Sequence, residues 1–413
     1  MQETQKRIIL QNANVLQVSN LIPIIEKGDI TLEEFKQAGL SADKIREIEN
    51  TINLEVAKER AAEELARKEE ELRLAKERAA EERNDFLKKV VRKRVTVDEI
   101  RNRINSGFIT FDDLEDEGIS TKTINSIKYY SNANRITVFK KIEDLPPMEE
   151  GRTDVYFVGL PGSGKSTMLS GVLNVANKEG ILLPDTYNND GAVYQTQIVS
   201  DLSRGVLPNA TASGSYNYIA MSLNDEQGKK HPFNIVEVPG ELYVQMFNNP
   251  NVDGLLNYIK NSNKKILVFV VDSLAHDTDY SEAKSALDQS LVYVNILNMF
   301  KNNGILNQTD AIYLVANKFD AIKESRYAGD GRPDNQLAYE FLSEEFKNLI
   351  NNCTNMRDES KNKFKIKVLP YSIGKVSYEF IVEEFNRTYS SNVIKNLIED
   401  SFIVKGSKWK LFS

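Results

Sequence analysis

The sequence is short of the residues that staple small secreted domains and build protein metal centres. Across 413 residues it holds 1 cysteine, 2 histidines and 1 tryptophan. The lone Cys353 cannot form an internal disulfide, which fits a reducing compartment. Its place in an Asn-rich stretch marks it as an inert thiol rather than a nucleophile. His231 and His276 lie far apart with no Cys or His at ligand spacing, so no histidine metal site is expected. No apolar run reaches the roughly 18 residues of a membrane span, and residues 8–10 are too short for a signal-peptide core. A soluble cytoplasmic protein is therefore expected. An excess of positive charge is also missing: 53 Lys and Arg stand against 60 Asp and Glu, a net charge of −7. That balance argues against an extended nucleic-acid surface, so nucleic acid is not an expected partner, though a local basic patch is compatible with it.

Apolar residues make up 41% of the chain, enough for a globular core, and the length suits two or three domains. The N-terminal part contains a repeat. Ile25 and Gly28 match Ile104 and Gly107, and Ile30 and Thr31 match Ile109 and Thr110. Phe35 matches Leu114, Gly39 to Ser41 match Gly118 to Ser120, and Ile45 and Ile48 match Ile124 and Ile127. One constant offset relates all of them, the signature of a duplicated module. Each copy reads as short punctuated helices. Gly28 and Gly107 suit a helix C-cap. Thr31 and Thr110, with Glu34 and Asp113 three residues on, suit capping boxes, and Ser41 and Ser120 suit the next N-cap. Between the copies, about 53–94, neither Gly nor Pro occurs, and Ala, Glu, Lys, Arg and Leu dominate. Leu54, Ala61, Leu65, Leu72 and Ala79 form only a thin apolar stripe. Two readings stay open: a single exposed helix laced by side-chain ion pairs, or an oligomerising coiled coil.

Residues 144–151, with two prolines, acids and a closing glycine, read as a linker. Beyond it, apolar strands alternate with amphipathic helices, the pattern of a parallel α/β sheet. The expected organisation is helical copy 1 at 1–52, a long charged helix at 53–95 and helical copy 2 at 96–143. The linker at 144–151 then leads to a P-loop domain at 152–413, which ends in a tail. The fold class is α/β, a doubly wound, mostly parallel sheet joined to an all-helical N-terminal region. The basic and aromatic tail around Trp409 is expected to pack on the domain, with contact to a partner or membrane as the alternative.

The strongest chemical signal is the run from Gly159 through Gly162, Ser163, Gly164, Lys165 and Ser166 to Thr167, after a β-rich strand and before a helical run. Its spacing is that of a phosphate-binding loop. Glycines let backbone N–H groups turn towards phosphate oxygens, Lys165 reaches the outer phosphates, Ser166 ligates Mg²⁺, and the helix N-terminus adds its positive dipole. A second motif ends a strand in Glu237, with Gly240 three residues on and Glu241 after it. A third places Asn317, Lys318 and Asp320 at the end of an apolar strand. There a carboxylate can accept from both the ring N–H and the exocyclic amine of guanine, a pattern adenine does not offer. Asp272, which ends another apolar strand, supplies a rival reading as the metal-side acid of an ATPase, although no second acid follows it directly.

Together these motifs make about residues 152–400 resemble a P-loop GTPase of the translation-factor and Ras-like class. The long switch region is similar to that of bacterial GTPases of conflict or regulatory systems. The resemblance implies binding of GTP or GDP with Mg²⁺. It implies that Glu237 holds the metal where the family has Asp, that Gly240 senses the outer phosphate, and that Asn317 ties its loop to the phosphate loop. It also implies that the loop at Ser372 meets the base. A Thr should complete the metal shell: Thr211 is the choice, with Thr186, Thr196 and Ser213 as rivals. Arg204 invites comparison with the cis-acting arginine of heterotrimeric G-protein alpha subunits, although a helix-end arginine is the plainer reading. Glu241 stands where Ras-like proteins often carry a Gln, which bears on hydrolysis. Residues 182–210 and 321–364 read as insertions in the minimal domain. The expected catalytic residues are Lys165, Glu241 and Arg204. The expected function is a GTP-hydrolysing switch whose helical region contacts a protein partner or self-associates. The alternatives are a nucleotide-binding scaffold that hydrolyses little and a nucleic-acid-linked P-loop ATPase.

Overall fold

The computed structural model describes residues 2–130, 139–185, 189–208, 215–249, 253–274 and 288–401. His276, Thr186, Thr211, Ser213 and Trp409 lie outside the described residues, and the readings attached to them stay there. The chain divides into two compact units, Met1–Phe86 and Leu87–Ser413.

In the first unit, helices α1 (Glu3–Asn12), α2 (Val18–Glu26) and α3 (Leu32–Gln37) precede α4 (Ala42–Val91). Leu21, Ile30, Phe35 and Ile48 are fully buried together. In the second unit the repeat returns as α5 (Val97–Asn105), α6 (Phe111–Asp116) and α7 (Thr121–Tyr129). Each of these starts 79 residues after its counterpart α2, α3 or α4. Thr31 with Glu34 and Thr110 with Asp113 both close complete capping boxes, each satisfying two orphan amide groups at a helix start. The copies differ at their third helix. In copy 2 it stops at Tyr130, whose backbone turns extended. In copy 1 the helix begun at Ala42 runs straight into the charged segment, because no Gly or Pro interrupts it. The charged helix expected from residue 53 is thus the continuation of the module's last helix. Leu54, Leu65 and Leu72 on it are more than half exposed. Its Glu64–Lys68 and Glu70–Arg73–Glu77 pairs are the one-turn ion pairs of an exposed helix.

The rest of the second unit is built on a seven-stranded sheet. Its strands are β1 (Thr153–Val158), β2 (Leu182–Pro184), β3 (Asn217–Asn224), β4 (Lys230–Glu237), β5 (Lys264–Asp272), β6 (Thr309–Asn317) and β7 (Lys365–Tyr371), in the order β2-β3-β4-β1-β5-β6-β7. β1 lies parallel between β4 and β5, and β6 and β7 continue the parallel run. β3 runs antiparallel to β4. β1 and the inner part of β5 are buried throughout, which explains why both read as nearly unbroken apolar runs. The connecting helices form two packed groups. α8 (Lys165–Lys178) packs with α9 (Asn189–Ser203) and the C-terminal helix Arg387–Asp400. α10 (Gly240–Asn248) packs with the helix Gln289–Asn302, which in turn packs on Lys347–Glu359. The two long insertions fold as β2 with α9 and as three helices between Phe319 and Glu359. No helix among the described residues is long and apolar enough to cross a membrane.

Candidate functional site

A cleft of about 580 Å³ opens at the C-terminal ends of the parallel strands, where open α/β sheets place their ligands. It is lined by Gly162, Gly164, Lys165, Ser166 and Thr167 from the β1–α8 loop, and by Gly240 and Glu241 from the start of α10. Asn317, Lys318 and Asp320 come from the end of β6, and Ser372 from the end of β7. The structure therefore collects motifs spread over the 210 positions from Gly162 to Ser372 around one space. Gly159 and Ser163 lie behind this lining: the Gly159 carbonyl accepts from Lys165 Nζ at 2.7 Å, and the Ser163 carbonyl accepts from Asn317 Nδ2 at 2.7 Å.

The loop is held by close backbone approaches. Gly164 has φ +89°, and a Cβ there would come within 2.1 Å of Asn317 Nδ2. The contact that joins the base-end loop to the phosphate loop thus requires glycine at this position. A Cβ on Gly240 would lie 2.3 Å from the Pro161 nitrogen, so the start of α10 is pressed against the phosphate loop itself. Lys165 is almost wholly buried. Desolvation brings its ammonium down to about 8, opposed by the carboxylates of Glu237 and Glu241.

Glu237 ends β4 deep in the site. One carboxylate oxygen accepts from Ser166 Oγ, and the other accepts from Tyr194 OH at 2.5 Å and Asn217 Nδ2 at 3.2 Å. Tyr194 and Asn217 are contacts of Glu237 that the sequence did not disclose: Tyr194 sits on the inserted α9, and Asn217 opposes Glu237 across the β3–β4 ladder. Glu241 lines the same end of the cleft. Its Oε2 is buried and has no hydrogen-bond partner among the described atoms.

At the other end, Asp272 and Asn317 are register partners at the tips of β5 and β6. Asp272 forms a 2.7 Å ion pair with Lys318, whose backbone is left-handed at φ +57°. This acid orients the base-end lysine, whereas the acid beside Ser166 is Glu237. The arrangement removes the ground for reading Asp272 as a metal-side acid. Asp320 stands exposed at the start of the following helix, on the rim of the cleft. Ser372 is buried, and its hydroxyl accepts from the Gly374 amide at 3.0 Å.

Arg204 is not brought into the cleft. Its guanidinium lies over the Tyr129 ring, 4.2 Å from the centroid, on the face where α7 meets the end of α9. Thr196 is an exposed residue of α9 whose hydroxyl donates to the Ala192 carbonyl at 2.8 Å, and it does not line the cleft. The described residues hold no cluster of three or more His, Cys, Asp or Glu able to bind a metal by themselves. Ser166 and Glu237 instead offer two adjacent hard oxygen donors, the kind of set that fits an ion retaining several waters and phosphate ligands.

A family model described as Double-GTPase 1 matches residues 156–294. No curated protein matches the chain. Two solved structures are similar at low level. One is the signal recognition particle receptor SRb-GTP/SRX complex from Chaetomium thermophilum, at 13% identity and TM-score 0.31, over 56% of this chain and 99% of that one. The other is sup35 complexed with GDP, at 14% identity and TM-score 0.25, over 57% of this chain and 42% of that one.

Proposed function

We propose that the P-loop GTPase domain of this chain hydrolyses the GTP it binds and acts as a molecular switch. The observation that carries this reading is the convergence of Lys165, Ser166, Glu237 and Glu241 at one end of a single cleft and of Asn317, Lys318 and Asp320 at the other. The span suits a nucleoside triphosphate, with charge-neutralising groups at one end and a guanine-matching carboxylate at the other.

In this proposal the amide groups at the start of α8 and the Lys165 ammonium hold the phosphates. A phosphate anion beside Lys165 favours its charged form and so offsets the desolvation that burial imposes. Ser166 and Glu237 would hold Mg²⁺, which when bound neutralises charge on the phosphate oxygens. Tyr194 and Asn217 fix the Glu237 carboxylate for that task. Gly240 brings the α10 amide next to the phosphate loop, and Glu241, with one buried oxygen unpartnered among the described atoms, accepts a hydrogen bond from the attacking water. Asp320 selects guanine, with the Ser372 loop against the base. The protein's own groups do positioning and electrostatic work, which is most of what phosphoryl transfer needs. Arg204, committed to Tyr129, takes no part. The helical N-terminal region is the contact surface for a protein partner or a second copy.

Single-turnover assays with GTP test the reading. Wild-type protein should convert GTP to GDP faster than buffer. Lys165→Ala should abolish conversion, and Glu241→Ala should slow it about 100-fold while leaving GTP binding in place. Wild-type conversion at the buffer rate would favour the second reading, a nucleotide-binding scaffold. The occupation of Glu237 by three protein donors is the observation that speaks for that alternative.

A further inference from the structure

After β7 the chain forms a hairpin, β8 (Gly374–Ser377) and β9 (Ile381–Phe385). Its turn residues Tyr378 and Glu379 both have left-handed backbones, at φ +50° and +67°. They fall in a three-residue turn, 378–380, closed by the Ser377–Ile381 pair, and a left-handed backbone is one that Gly and Asn adopt far more readily than Tyr or Glu. Tyr and Glu hold it under strain, and such a turn persists where its surroundings over-determine it. The helical region supplies those surroundings. Tyr378 OH donates to the Val90 carbonyl at 3.1 Å, and the Val97 amide donates to the Tyr378 carbonyl at 3.2 Å. Lys93 pairs with Glu383 at 2.5 Å, and the Tyr130 ring lies 5.6 Å from that of Phe380. On its other side the hairpin bonds the segment leading out of α9: Leu207 N donates to Phe380 O, and Val382 N donates to Gly205 O, each at 2.8 Å.

The same turn forms a wall of the nucleotide cleft. Glu379 and Phe380 line it together with Val376, Leu207 and Pro208, while the phosphate-loop and base-end residues line the rest. Among the described residues, and beyond the Glu237 carboxylate buried behind Ser166, three carboxylates line the cleft: Glu241, Asp320 and Glu379. Glu241 stands at the phosphate end, and Asp320 is matched to the guanine donors. A third carboxylate would be repelled by phosphate, and the donor-bearing part of a nucleotide still unmatched is the ribose diol.

We propose that Glu379 is the ribose-selecting residue of this cleft, accepting from a ribose hydroxyl. Tyr378 is the positioning residue that holds it there, so that the end of the charged helix and the second helical copy are both part of the nucleotide site. The inference rests on reading the cleft as a guanine-nucleotide site.

Equilibrium titrations of the full chain with GTP, 2′-deoxy-GTP and 3′-deoxy-GTP test it. Wild type should prefer GTP over at least one deoxy analogue about tenfold, the effect of one hydrogen bond to a charged group. Glu379→Ala should lower GTP affinity about tenfold and bring the ratio to about one. The isosteric Glu379→Gln, which keeps the turn filled, should reduce the ratio to a few-fold. Tyr378→Phe keeps the ring, removes the bond to Val90, and should also shrink the ratio. A merely structural turn would lower affinity for GTP and both analogues alike, leaving the ratio unmoved in every variant, and that result overturns the inference. GTP binding by wild type with no preference over either analogue overturns it too, while leaving the guanine reading intact. Failure of wild type to bind any of the three overturns both.

Discussion

Burial draws the Lys165 ammonium from the ordinary lysine range down to about 8. Phosphate oxygens placed beside it would raise it again, because they favour the charged form. Between these two values the free protein binds fewer protons than the complex, so nucleotide binding takes up a proton. The sign follows directly: affinity is full below about pH 8 and falls as pH rises above it, by up to about tenfold per unit. Calorimetric titrations from pH 7 to pH 9, in buffers of different ionisation heat, should show the fall together with proton uptake. A flat profile would mean that Lys165 does not meet the phosphates. Gly240 gives a second expectation at this scale. With a Cβ 2.3 Å from the Pro161 nitrogen and 2.6 Å from the Leu160 carbonyl carbon, Gly240→Ala must move backbone. It should cost about 1–3 kcal/mol of stability, the usual range for overpacking, and weaken GTP binding, both readable by thermal melts with and without nucleotide. Unchanged melts would show that the contact yields freely.

The elements show why part of the design was legible before the fold was seen. Helix punctuation is local chemistry, so Thr31, Thr110 and Ser120 could be picked out as caps from residues three positions away. Thr110→Ala should therefore cost about 1 kcal/mol, measured by urea unfolding, and a change near zero would mean that the box satisfies nothing that water does not. The phosphate loop and the Asn317–Asp320 motif were legible for the same reason, since backbone geometry forces those residue types into short spans. What stayed hidden depends on distance. The Tyr194 and Asn217 bonds to Glu237, the Asp272–Lys318 pair and the Tyr378–Val90 bond join residues 20 to 288 positions apart, and no periodicity announces them. Arg204 shows the limit of nearness in sequence, and its place fits the plainer reading of a helix-end arginine. Its nearness in sequence to the switch segment suggested catalysis, but the end of α9 turns it onto Tyr129. Likewise, a thin apolar stripe gave no boundary between the third helix of copy 1 and the charged run, because nothing in residues 42–91 stops a helix.

For the molecule as a whole, duplication did not produce two equivalent parts. The second copy belongs to the same compact unit as the sheet, with Ser126 Oγ donating to the Arg204 carbonyl at 2.8 Å and Tyr129 OH donating to Asp201 at 2.9 Å. The first copy belongs to a separate unit with most of the charged helix. In the account proposed above, the second copy takes part in the nucleotide site, while the helical N-terminal region as a whole is the contact surface for a partner. That account stands on a cleft that grips a triphosphate at Lys165 and selects its base at Asp320.

Competition binding tests this most directly: full-length protein holding a fluorescent guanine nucleotide, with unlabelled GTP or ATP added, in wild type and Asp320→Ala. GTP should displace the probe from wild type at least 100-fold more effectively than ATP, since two hydrogen bonds to a carboxylate are at stake. The Asp320→Ala variant should lose most of that margin. Equal displacement by ATP and GTP from the wild-type protein would contradict the account.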